Sequence, residues 1–361
     1  MAERLWTTRN GSAADCDRIL ALRQACFGDV DPIRGRAEGW RWQFADNPAG
    51  AGYVRLAEHE GRIVGQYAAI PTRFRLRGDP TPRIMAMSCD TMTHPQYQKQ
   101  GMFVTLAQEL YDDLAVHHDV TAVWGFPNDS SHPGFVNKLG WFDTHVFPTL
   151  VKPLRTRAVL QRYLKSSVVA AALSPVVDAA WWLVAPKAHA PRRCTIRPLQ
   201  AFDERFAALW ERHADIAPVV QVRDPAYLRW RFASLPAFNY EVWEVLVGDC
   251  LEGYFVTRTL ELFGLPFGAL VDVFPCPVVD DDITREILSF TQRRVTEQGA
   301  AFLTALLPPQ RAHHLRRFGF LKVPDFLNLR RWYFGGRAAL DRPLLQDIGN
   351  WYLTFGDADI V

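Results

Sequence analysis

The stretch that decides the fold runs Met85-Ala-Met-Ser-Cys-Asp-Thr-Met-Thr-His-Pro-Gln-Tyr-Gln-Lys-Gln-Gly-Met-Phe-Val-Thr-Leu-Ala-Gln-Glu-Leu110. It predicts an apolar strand, a short polar loop that ends at Gly101, and an amphipathic helix. The helix is indicated by apolar residues that recur at helical spacing on one face, namely Phe103, Leu106, Ala107, Leu110 and Leu114. The loop therefore lies at a helix N-terminus, where unpaired N–H groups favour an anion and Lys99 adds positive charge. These features predict a pyrophosphate site that has neither a Walker lysine-serine pair nor a G-x-G-x-x-G fingerprint.

The segment from His94 to Phe103 resembles the acyl-CoA-binding loop of the GNAT N-acetyltransferases. That family has the pattern Arg/Gln-x-x-Gly-x-Gly/Ala after its fourth strand. Gln98, Gly101 and Phe103 occupy the three fixed positions, and Phe103 is larger than the small residue usual there. The resemblance implies that acetyl-CoA, or another acyl-CoA, is bound by Met92, Thr93, Gln98, Lys99, Gln100, Gly101, Met102 and Phe103. An ordinary strand–turn–helix crossover is the alternative interpretation.

The same family has a second signature, which consists of a strand, an asparagine and a helix that ends in Leu-Gly-aromatic. It is similar to the block Trp124-Gly-Phe-Pro-Asn-Asp-Ser-Ser-His-Pro-Gly-Phe-Val-Asn-Lys-Leu-Gly-Trp141. The resemblance implies that Asn128 and Ser131 contact the pantetheine arm of the acyl-CoA and that Phe135 packs on it. Helix capping by Ser130 or Ser131 is the alternative, and both roles can coexist because they use different atoms.

Transfer of an acyl group to an amine also requires a base that removes the ammonium proton. The candidates are Asp90, on the strand before the loop, and His132, at the start of the second helix, with His94 as a third. The family often has a tyrosine that protonates the leaving thiolate, and Val136 stands at that position. The role of acid therefore falls to another residue or to solvent, which is feasible because a free thiol is itself fairly acidic.

An internal repeat sets the domain organisation. Several blocks recur in the same order, namely Trp40-Arg-Trp-Gln-Phe44 as Leu228-Arg-Trp-Arg-Phe232, Gly65 as Gly253, Cys89-Asp90 as Val271-Asp272, and Leu139-Gly-Trp141 as Phe318-Gly-Phe320. We therefore predict an α/β (α+β) fold of two tandem GNAT-like domains, each a mixed, mostly antiparallel sheet flanked by helices. The predicted segments are a first domain with the acyl-CoA site (1–151), an apolar helical linker (152–193), a degenerate second domain (194–335) and a tail packed on the domains (336–361).

The second repeat lacks the features of the anion-binding loop. Its equivalent segment, Pro275-Cys-Pro-Val-Val-Asp-Asp-Asp282, has two prolines without N–H donors and three acidic residues that repel a pyrophosphate. One acyl-CoA site per chain follows. Asp272 repeats Asp90, so a structural role for both is also open. The tail is expected to be a strand held by aromatic residues, or else to bring Asp357, Asp359 or the terminal carboxylate near the acceptor amine.

Composition excludes several classes of function. The formal net charge is +2, from 41 basic and 39 acidic residues, so we expect no nucleic-acid partner. The six scattered cysteines, without a C-x-x-C, predict a reducing cytoplasm and no metal site. The apolar stretch from Ser167 to Ala185 is interrupted by Pro175 and Asp178, which predicts a helix packed between domains, with a membrane-surface contact as the alternative and no stable membrane insertion.

The leading functional hypothesis is an acyl-CoA-dependent, in the first place acetyl-CoA-dependent, N-acyltransferase that modifies a primary amine of a small molecule such as an amino sugar. One alternative is a FemAB-like aminoacyl transferase, which would use aminoacyl-tRNA and need a basic groove. The other is a non-catalytic acyl-CoA sensor, which the absence of the tyrosine at Val136 keeps open. The sequence leaves the acceptor, the acyl chain length and a homodimeric state open.

Overall fold

The computed structural model describes residues 5–29, 31, 33–184, 194–262, 264–275, 281–308, 311–324, 331–338 and 341–358. The chain forms two compact units that are not contiguous in sequence. Unit 1 lies within Met1–Phe147, Ala217–Ala237 and Arg330–Asn350. Unit 2 lies within Pro148–Ile216, Phe238–Leu329 and Trp351–Val361.

The elements of the two repeats follow the same order along the chain, except that the second repeat has an additional strand, β9, between its first two helices. The first repeat contains β1 (Thr7–Asn10), α1 (Cys16–Phe27), α2 (Ala37–Phe44), β2 (Tyr53–His59), β3 (Arg62–Leu76), β4 (Arg83–Thr93), α3 (Met102–His117), β5 (Val120–Gly125), α4 (His132–Leu139), β6 (Phe142–Phe147) and β7 (Leu150–Pro153). It is followed by α5 (Arg157–Leu164) and α6 (Ser167–Val184). The second repeat contains β8 (Thr195–Pro198), α7 (Glu204–His213), β9 (Val219–Gln221), α8 (Pro225–Phe232), β10 (Glu241–Val247), β11 (Cys250–Leu262), β12 (Leu265–Phe274), α9 (Asp281–Glu297), β13 (Phe302–Ala305), α10 (Ala312–Arg317), β14 (Leu321–Lys322) and β15 (Trp332–Ala338). The chain then continues through α11 (Arg342–Gln346) and β16 (Trp351–Tyr352).

The sheet of unit 1 has the strand order β1-β2-β3-β4-β5-β15-β6, and β9 pairs with the far end of β3. Within this order only β4 and β5 are parallel, and α3 is the crossover helix that joins them. The predicted apolar face of α3 is buried, since Leu106, Ala107, Leu110 and Leu114 are at most 2% exposed. Each such leucine stabilises the fold by about 1.5–3 kcal/mol through burial, which fixes α3 against the sheet.

The sheet of unit 2 has the order β14-β7-β13-β12-β11-β10-β8 and repeats this plan. Its parallel pair is β12 and β13, joined by α9, and the pairs on either side are antiparallel. The prediction of an α/β fold with two mixed, mostly antiparallel sheets flanked by helices is therefore confirmed.

Each unit includes a strand from the other repeat. In unit 1, β15 of the second repeat lies between β5 and β6 of the first. In unit 2, β7 of the first repeat pairs with β13 and β14 of the second. The predicted domains 1–151 and 194–335 are continuous in sequence. In the structure, the two units exchange the last strands of the two repeats. Short strands such as these carry little local information about which sheet they join.

The repeated aromatic helices α2 and α8 meet inside unit 1. Trp42 and Trp230, which are equivalent residues of the two repeats, stack with ring centroids 5.0 Å apart. The indole Nε1 of each donates to the main-chain carbonyl oxygen of the other, at 2.7 Å in both directions. This reciprocal pair is the arrangement expected of two copies of one motif related by a local twofold.

The predicted linker contains α5 and α6, which pack against each other as a helical hairpin. On α6, Ala170 and Ser174 are buried, whereas several larger apolar residues are exposed, namely Val168, Val169, Leu173, Val176 and Val177. Within the described ranges, no helix has the length and apolar character needed to cross a membrane.

Candidate functional site

The two parallel strands at the centre of unit 1 separate part of the way along. Pairing between β4 and β5 runs from Ile84–Val120 to Met87–Trp124, while β4 itself continues to Thr93. Within the described part of the chain, residues 88–93 of β4 therefore face β5 without a ladder partner on that side. Backbone N–H and C=O groups at such an edge can pair with an extended ligand in the way that they would pair with a strand.

A β-bulge interrupts this open part of β4 at Asp90. Gln66 on β3 pairs with Met92, and Ala68 pairs with Cys89, so two residues of β4 oppose a single residue of β3. Asp90 has φ +46°, and the Gln66 side chain donates to its carbonyl oxygen at 2.9 Å. A non-glycine residue at positive φ within a strand is strained, and bulges of this kind occur next to active sites, where they redirect a side chain.

The redirected carboxylate of Asp90 is paired with a guanidinium. Arg23 on α1 donates from Nη1 to Asp90 Oδ1 at 2.8 Å, and the two side chains are 11% and 14% exposed. Arg23 also lies 3.9 Å from Asp31 and over the ring of Phe27. No local sequence signal indicates Arg23, because its partner Asp90 is 67 residues away. Asp90 is thus a charged, half-enclosed group at the bulge, with one oxygen committed to Arg23.

The 98–101 loop lies between β4 and α3, at the position that the sequence predicted. Lys99 and Gly101 both adopt left-handed conformations, with φ of +61° and +77°, and the loop is exposed. Gly101 is the N-cap residue of α3, and no side chain caps this end of the helix. The first N–H groups of a sixteen-residue helix and the exposed residue Lys99 therefore lie at the same loop, which suits a phosphate-sized anion.

The residues just before this loop are held by their own contacts. His94 Nδ1 accepts from the backbone N–H of Gln96 at 3.3 Å and so caps a short 3-10 turn. Tyr97 in that turn is hydrogen-bonded through its hydroxyl to His59 Nδ1 at 2.7 Å. These bonds give His94 a structural function that requires no catalytic role. Met92 is buried at 3% exposure, and Thr93 is half-buried beside it.

The bulky Phe103 is accommodated by a glycine on the facing helix. A Cβ atom on Gly134 of α4 would lie 2.7 Å from the Phe103 ring, so only glycine permits this approach of α4 to α3. Phe103 packs edge-on against Phe135 with centroids 5.1 Å apart, and Phe135 is 4% exposed. Phe135 therefore lies in the core beneath the site, whereas a residue that packs on a pantetheine arm would need an exposed face.

The cap of α4 is built by Asn128. Its Oδ1 accepts from the backbone N–H groups of Ser130 and Ser131, each at 3.0 Å, and its own N–H donates to Ser131 Oγ at 3.1 Å. Ser131 occupies the N-cap position, as predicted, but it makes no side-chain cap bond there. The turn uses the carboxamide oxygen of Asn128, so its nitrogen remains a donor at an exposed position.

A histidine, an aspartate and a tyrosine converge at the first turn of α4. His132 Nε2 is hydrogen-bonded to Asp143 Oδ1 at 2.7 Å, and its ring stacks on Tyr333 with centroids 3.9 Å apart. The Tyr333 hydroxyl donates to Asp129 Oδ1 at 3.2 Å. Tyr333 belongs to β15 of the second repeat, and no local sequence pattern indicates it, because it approaches His132 only through the position of β15 between β5 and β6. A phenol therefore lies beside α4 although Val136 replaces the tyrosine expected on that helix.

A cluster of buried aromatic residues packs against the sheet beneath the open edge of β4. Tyr67 and Tyr111 share a hydrogen bond of 2.7 Å between their hydroxyls, and Trp141 Nε1 donates to the Tyr111 hydroxyl at 3.0 Å. All three residues are at most 5% exposed. Burial raises the pKa of Tyr111 to about 12 and the pKa of Tyr67 well above its usual value. Both phenols therefore stay protonated near neutral pH and serve as packing and hydrogen-bonding groups.

In unit 2, the equivalent end of β12 is covered by the chain's own tail. Pairing of β12 with β13 ends at Leu270–Ala305. Beyond it, Asp272 is 1% exposed and accepts from the Tyr254 hydroxyl at 2.8 Å and from Thr354 Oγ1 at 2.7 Å. The Tyr352 hydroxyl donates to the carbonyl oxygen of Val273. The tail thus uses polar groups that an extended ligand would need here.

The predicted aromatic anchoring of the tail is visible in this unit. Trp351, Tyr352 and Phe355 are at most 7% exposed. Asp357 is buried as well, and it accepts from the backbone N–H of Thr354 at 2.8 Å, which completes a cap on a short 3-10 turn. Asp359, the terminal carboxylate and residues 276–280 of the proline- and aspartate-containing loop lie outside the described residues.

A scan of family models matches residues 7–142 to the acetyltransferase (GNAT) domain. Among solved structures, the chain is similar to a GCN5-related N-acetyltransferase from Anabaena variabilis (13% identity, 92% of this chain and 72% of that chain, TM-score 0.59). It is also similar to the N-myristoyltransferase of Saccharomyces cerevisiae with bound myristoyl-CoA (14%, 94% and 84%, TM-score 0.62). A third similar structure is the glucosamine N-acetyltransferase region of a fungal β-N-acetylglucosaminidase (13%, 93% and 38%, TM-score 0.53). At these identities the likeness shows a shared fold, and no curated protein matched.

Proposed function

We propose that this chain, in which residues 7–142 are a GNAT acetyltransferase domain, is an acyl-CoA-dependent N-acyltransferase. Its first co-substrate would be acetyl-CoA, and its acceptor a primary amine of a small molecule such as an amino sugar. The observation that carries the proposal is the open edge of β4, which leads directly into the uncapped N-terminus of α3 with Lys99 and Gly101 beside it. CoA has an extended arm with amide groups, which can pair with a strand edge, and a pyrophosphate, which can bind at a helix N-terminus.

In this proposal the pyrophosphate binds the 98–101 loop and the first N–H groups of α3, where Met102 and Phe103 contribute backbone. The pantetheine arm pairs with β4 at residues 88–93, and the exposed carboxamide nitrogen of Asn128 is a further donor to it. Ser131 contributes by holding the Asn128 turn, and Phe135 by supporting α4 from the core. The thioester carbonyl then lies near the bulge, where a β4 backbone N–H polarises it.

The proposed reaction is direct transfer. The acceptor nitrogen attacks the thioester carbonyl carbon, the C–N bond forms, the C–S bond breaks, and CoA leaves as a thiolate. Before the attack, the acceptor ammonium loses one proton to His132, whose Nε2 hydrogen bond to Asp143 leaves Nδ1 as the accepting nitrogen. After the neutral amine has attacked, its nitrogen releases a second proton to water as the amide forms. Tyr333, stacked on His132, is the candidate that returns a proton to the thiolate. A thiolate with a pKa near 8.5 also accepts a proton from water readily, so this help is modest.

Asp90 was the other predicted base, and we propose a different task for it. Its Oδ1 is held by Arg23, and the pair lies at the bulge where the acceptor must approach the thioester. A carboxylate and a guanidinium side by side suit an acceptor that carries both an ammonium and hydroxyl groups, which an amino sugar does. The fungal structure of similar fold is named for glucosamine N-acetylation, which supports testing this class first.

The length of the acyl group follows from what lies under the open edge. Tyr67, Tyr111 and Trp141 fill the space beneath β4 and are bonded to one another, so a long acyl chain would have to displace a closed aromatic cluster. We therefore propose short acyl groups, acetyl above all. The yeast enzyme of similar fold is named with bound myristoyl-CoA, so a long-chain acyl-CoA should also be tested as a substrate.

The deciding experiment is turnover of acyl-CoA to free CoA, followed by thiol release, with acetyl-, butyryl-, octanoyl- and myristoyl-CoA against a panel of amines. The panel contains glucosamine, galactosamine, a polyamine and an amino acid. The proposal expects acetyl-CoA to be used fastest and an amino sugar to accelerate thiol release at least tenfold over buffer. Binding of acetyl-CoA without acceleration by any amine would favour an acyl-CoA sensor, and preference for myristoyl-CoA would overturn the assignment of chain length.

A further inference from the structure

The helix α6 exposes an apolar face where a surface helix would ordinarily be polar. Val168 and Val176 are 77% and 67% exposed, and Val169, Leu173 and Val177 are 40–46% exposed. Among residues 167–180 of α6, for which the structure describes the exposure, the buried residues are small, with Ala170 and Ser174 at 0% and 6% exposure. The distribution is thus inverted relative to a helix that packs its large apolar side chains inward.

These side chains form one continuous surface. Residues 168, 172 and 176 follow one ridge of the helix at a spacing of four, and residues 169, 173 and 177 follow the adjacent ridge. Ala172 is exposed within the first ridge, so the surface contains no charged residue over these positions. Contiguous exposed apolar surface of this kind usually marks an interaction site.

The charge of the sequence around α6 is strongly one-sided, although Lys152 is buried and Arg197 is paired with Glu244. Between Pro148 and Phe202 the sequence has nine basic residues (Lys152, Arg155, Arg157, Arg162, Lys165, Lys187, Arg192, Arg193 and Arg197) and one acidic residue, Asp178. Arg162 and Lys165 are exposed just before the N-terminal end of α6, and Arg155 and Arg157 are exposed at the start of α5. Asp178 Oδ1 accepts from the backbone N–H of Thr156 at 2.8 Å, which ties the one acidic group to the start of α5. The chain as a whole has a net charge of only +2, so this segment concentrates its positive charge.

We propose that α6 and its basic flank, which consists of Arg155, Arg157, Arg162 and Lys165, bind the surface of an anionic lipid bilayer. The valine and leucine side chains would enter the boundary between headgroups and acyl chains, and the arginine and lysine side chains would contact lipid phosphates. A second copy of this chain is disfavoured, because a symmetric contact would bring two sets of basic side chains together. Crossing of the bilayer is not part of the proposal. The inference does not depend on acyl transfer, and its test uses no substrate.

The test is flotation of the full-length chain with vesicles of phosphatidylcholine alone or of phosphatidylcholine with 30% phosphatidylglycerol. We expect binding to the anionic vesicles to be at least tenfold stronger and to weaken with salt. The double variant Val168→Glu/Val176→Glu should reduce that binding at least tenfold. Arg155→Gln/Arg157→Gln should reduce it about fivefold for each charge removed and should leave weak binding to neutral vesicles unchanged.

The matched control is Val116→Glu, because Val116 on α3 is 74% exposed and lies outside this surface. It should bind vesicles as the unchanged protein does, and all variants should keep the melting temperature. Absence of binding to anionic vesicles would overturn the proposal, as would binding that the double variant retains. Concentration-dependent dimerisation that Val168→Glu/Val176→Glu abolishes, without vesicle binding, would assign the surface to a second copy instead.

Discussion

Trp42 and Trp230 form a reciprocal pair, in which each indole N–H donates to the main-chain carbonyl oxygen of the other residue at 2.7 Å. Both residues are at most 7% exposed, and their rings stack nearly parallel, with 15° between the planes. The two tryptophans occupy equivalent positions of the internal repeat. Residues at equivalent positions of the two repeats are therefore in direct contact, and this contact helps to stabilise unit 1.

Replacement of either tryptophan should cost a similar amount of stability. Trp42→Phe and Trp230→Phe each remove one buried N–H donor and part of a stacked ring, so we expect a loss of roughly 2–4 kcal/mol in the free energy of unfolding. Because the residues are in direct contact, the double variant should lose less than the sum of the two single losses. Urea unfolding of the four proteins measures this coupling, and strict additivity would contradict the reciprocal arrangement.

The His132–Asp143 pair should control the acyl-transfer step. His132→Gln removes the proposed proton acceptor, so we expect kcat to fall by about 10²–10³-fold with little change in the KM for acetyl-CoA. Asp143→Asn should cause a smaller loss, because it weakens the orientation of the imidazole but keeps the acceptor nitrogen. The measurement is the pH–rate profile of kcat/KM. Loss of its acidic limb in His132→Gln supports the role, whereas an unchanged profile would transfer the role of base to another group.

Asp90 and Asp272 are equivalent residues with opposite expected phenotypes. Asp90→Asn should raise the KM for the amine and leave thermal stability nearly unchanged, because Asp90 lies at the open bulge beside Arg23. Thr354→Val removes a donor from the fully buried carboxylate of Asp272, so it should reduce stability by roughly 1–3 kcal/mol and leave the KM unchanged. Paired melting curves and steady-state kinetics test both expectations. A stability loss in Asp90→Asn as large as that in Thr354→Val would indicate a structural role for both aspartates.

The Arg9–Asp15 contact gives a prediction for acid stability. Hydrogen bonds from Arg9 lower the pKa of Asp15 to about 2 from an ordinary value of 3.8. A folded-state pKa below the unfolded value stabilises the protein at higher pH, and that contribution is lost as the pH falls from about 4 to about 2. We expect Asp15→Asn to cost roughly 1–2 kcal/mol at pH 6 and progressively less towards pH 2, with allowance for the partial exposure of Arg9. Asp17→Asn, at an exposed neighbour, is the control, and a cost for Asp15→Asn that does not vary with pH would contradict the assignment.

Local signals in the sequence were sufficient for the 98–101 loop, the helix that follows it and the duplication. Each depends on residues close together in the chain, such as the helical periodicity after Gly101. They were also sufficient for the turn before α4, although the cap oxygen belongs to Asn128 where a serine was expected.

The remaining features of the site depend on distant partners. Tyr333 reaches His132 only because β15 of the second repeat lies beside β5 of the first, and no local pattern specifies that strand exchange. Arg23 reaches Asp90 because α1 packs against β3 and β4, which is also a contact between residues distant in sequence. The burial of Phe135 depends on how closely α3 and α4 approach, which Gly134 sets.

The central claim is that the 98–101 loop binds the pyrophosphate of an acyl-CoA, and Gly101→Glu tests it most directly. A Cβ at Gly101 has no atom within 4 Å, so the substitution causes no steric clash, although a non-glycine residue at φ +77° strains the backbone, and the carboxylate repels the pyrophosphate. Gly78→Glu is the matched control, since Gly78 also has a positive φ, of +92°, and no atom within 4 Å of its Cβ.

The measurement is isothermal titration of acetyl-CoA into the unchanged protein and into both glycine variants, together with the shift in melting temperature. We predict binding by the unchanged protein and by Gly78→Glu, with a stabilisation of about 2.7 kcal/mol at a ligand concentration of 100 times Kd. Gly101→Glu should bind at least tenfold more weakly. Absence of binding by the unchanged protein at millimolar acetyl-CoA, or equal binding by Gly101→Glu and Gly78→Glu, would contradict the account.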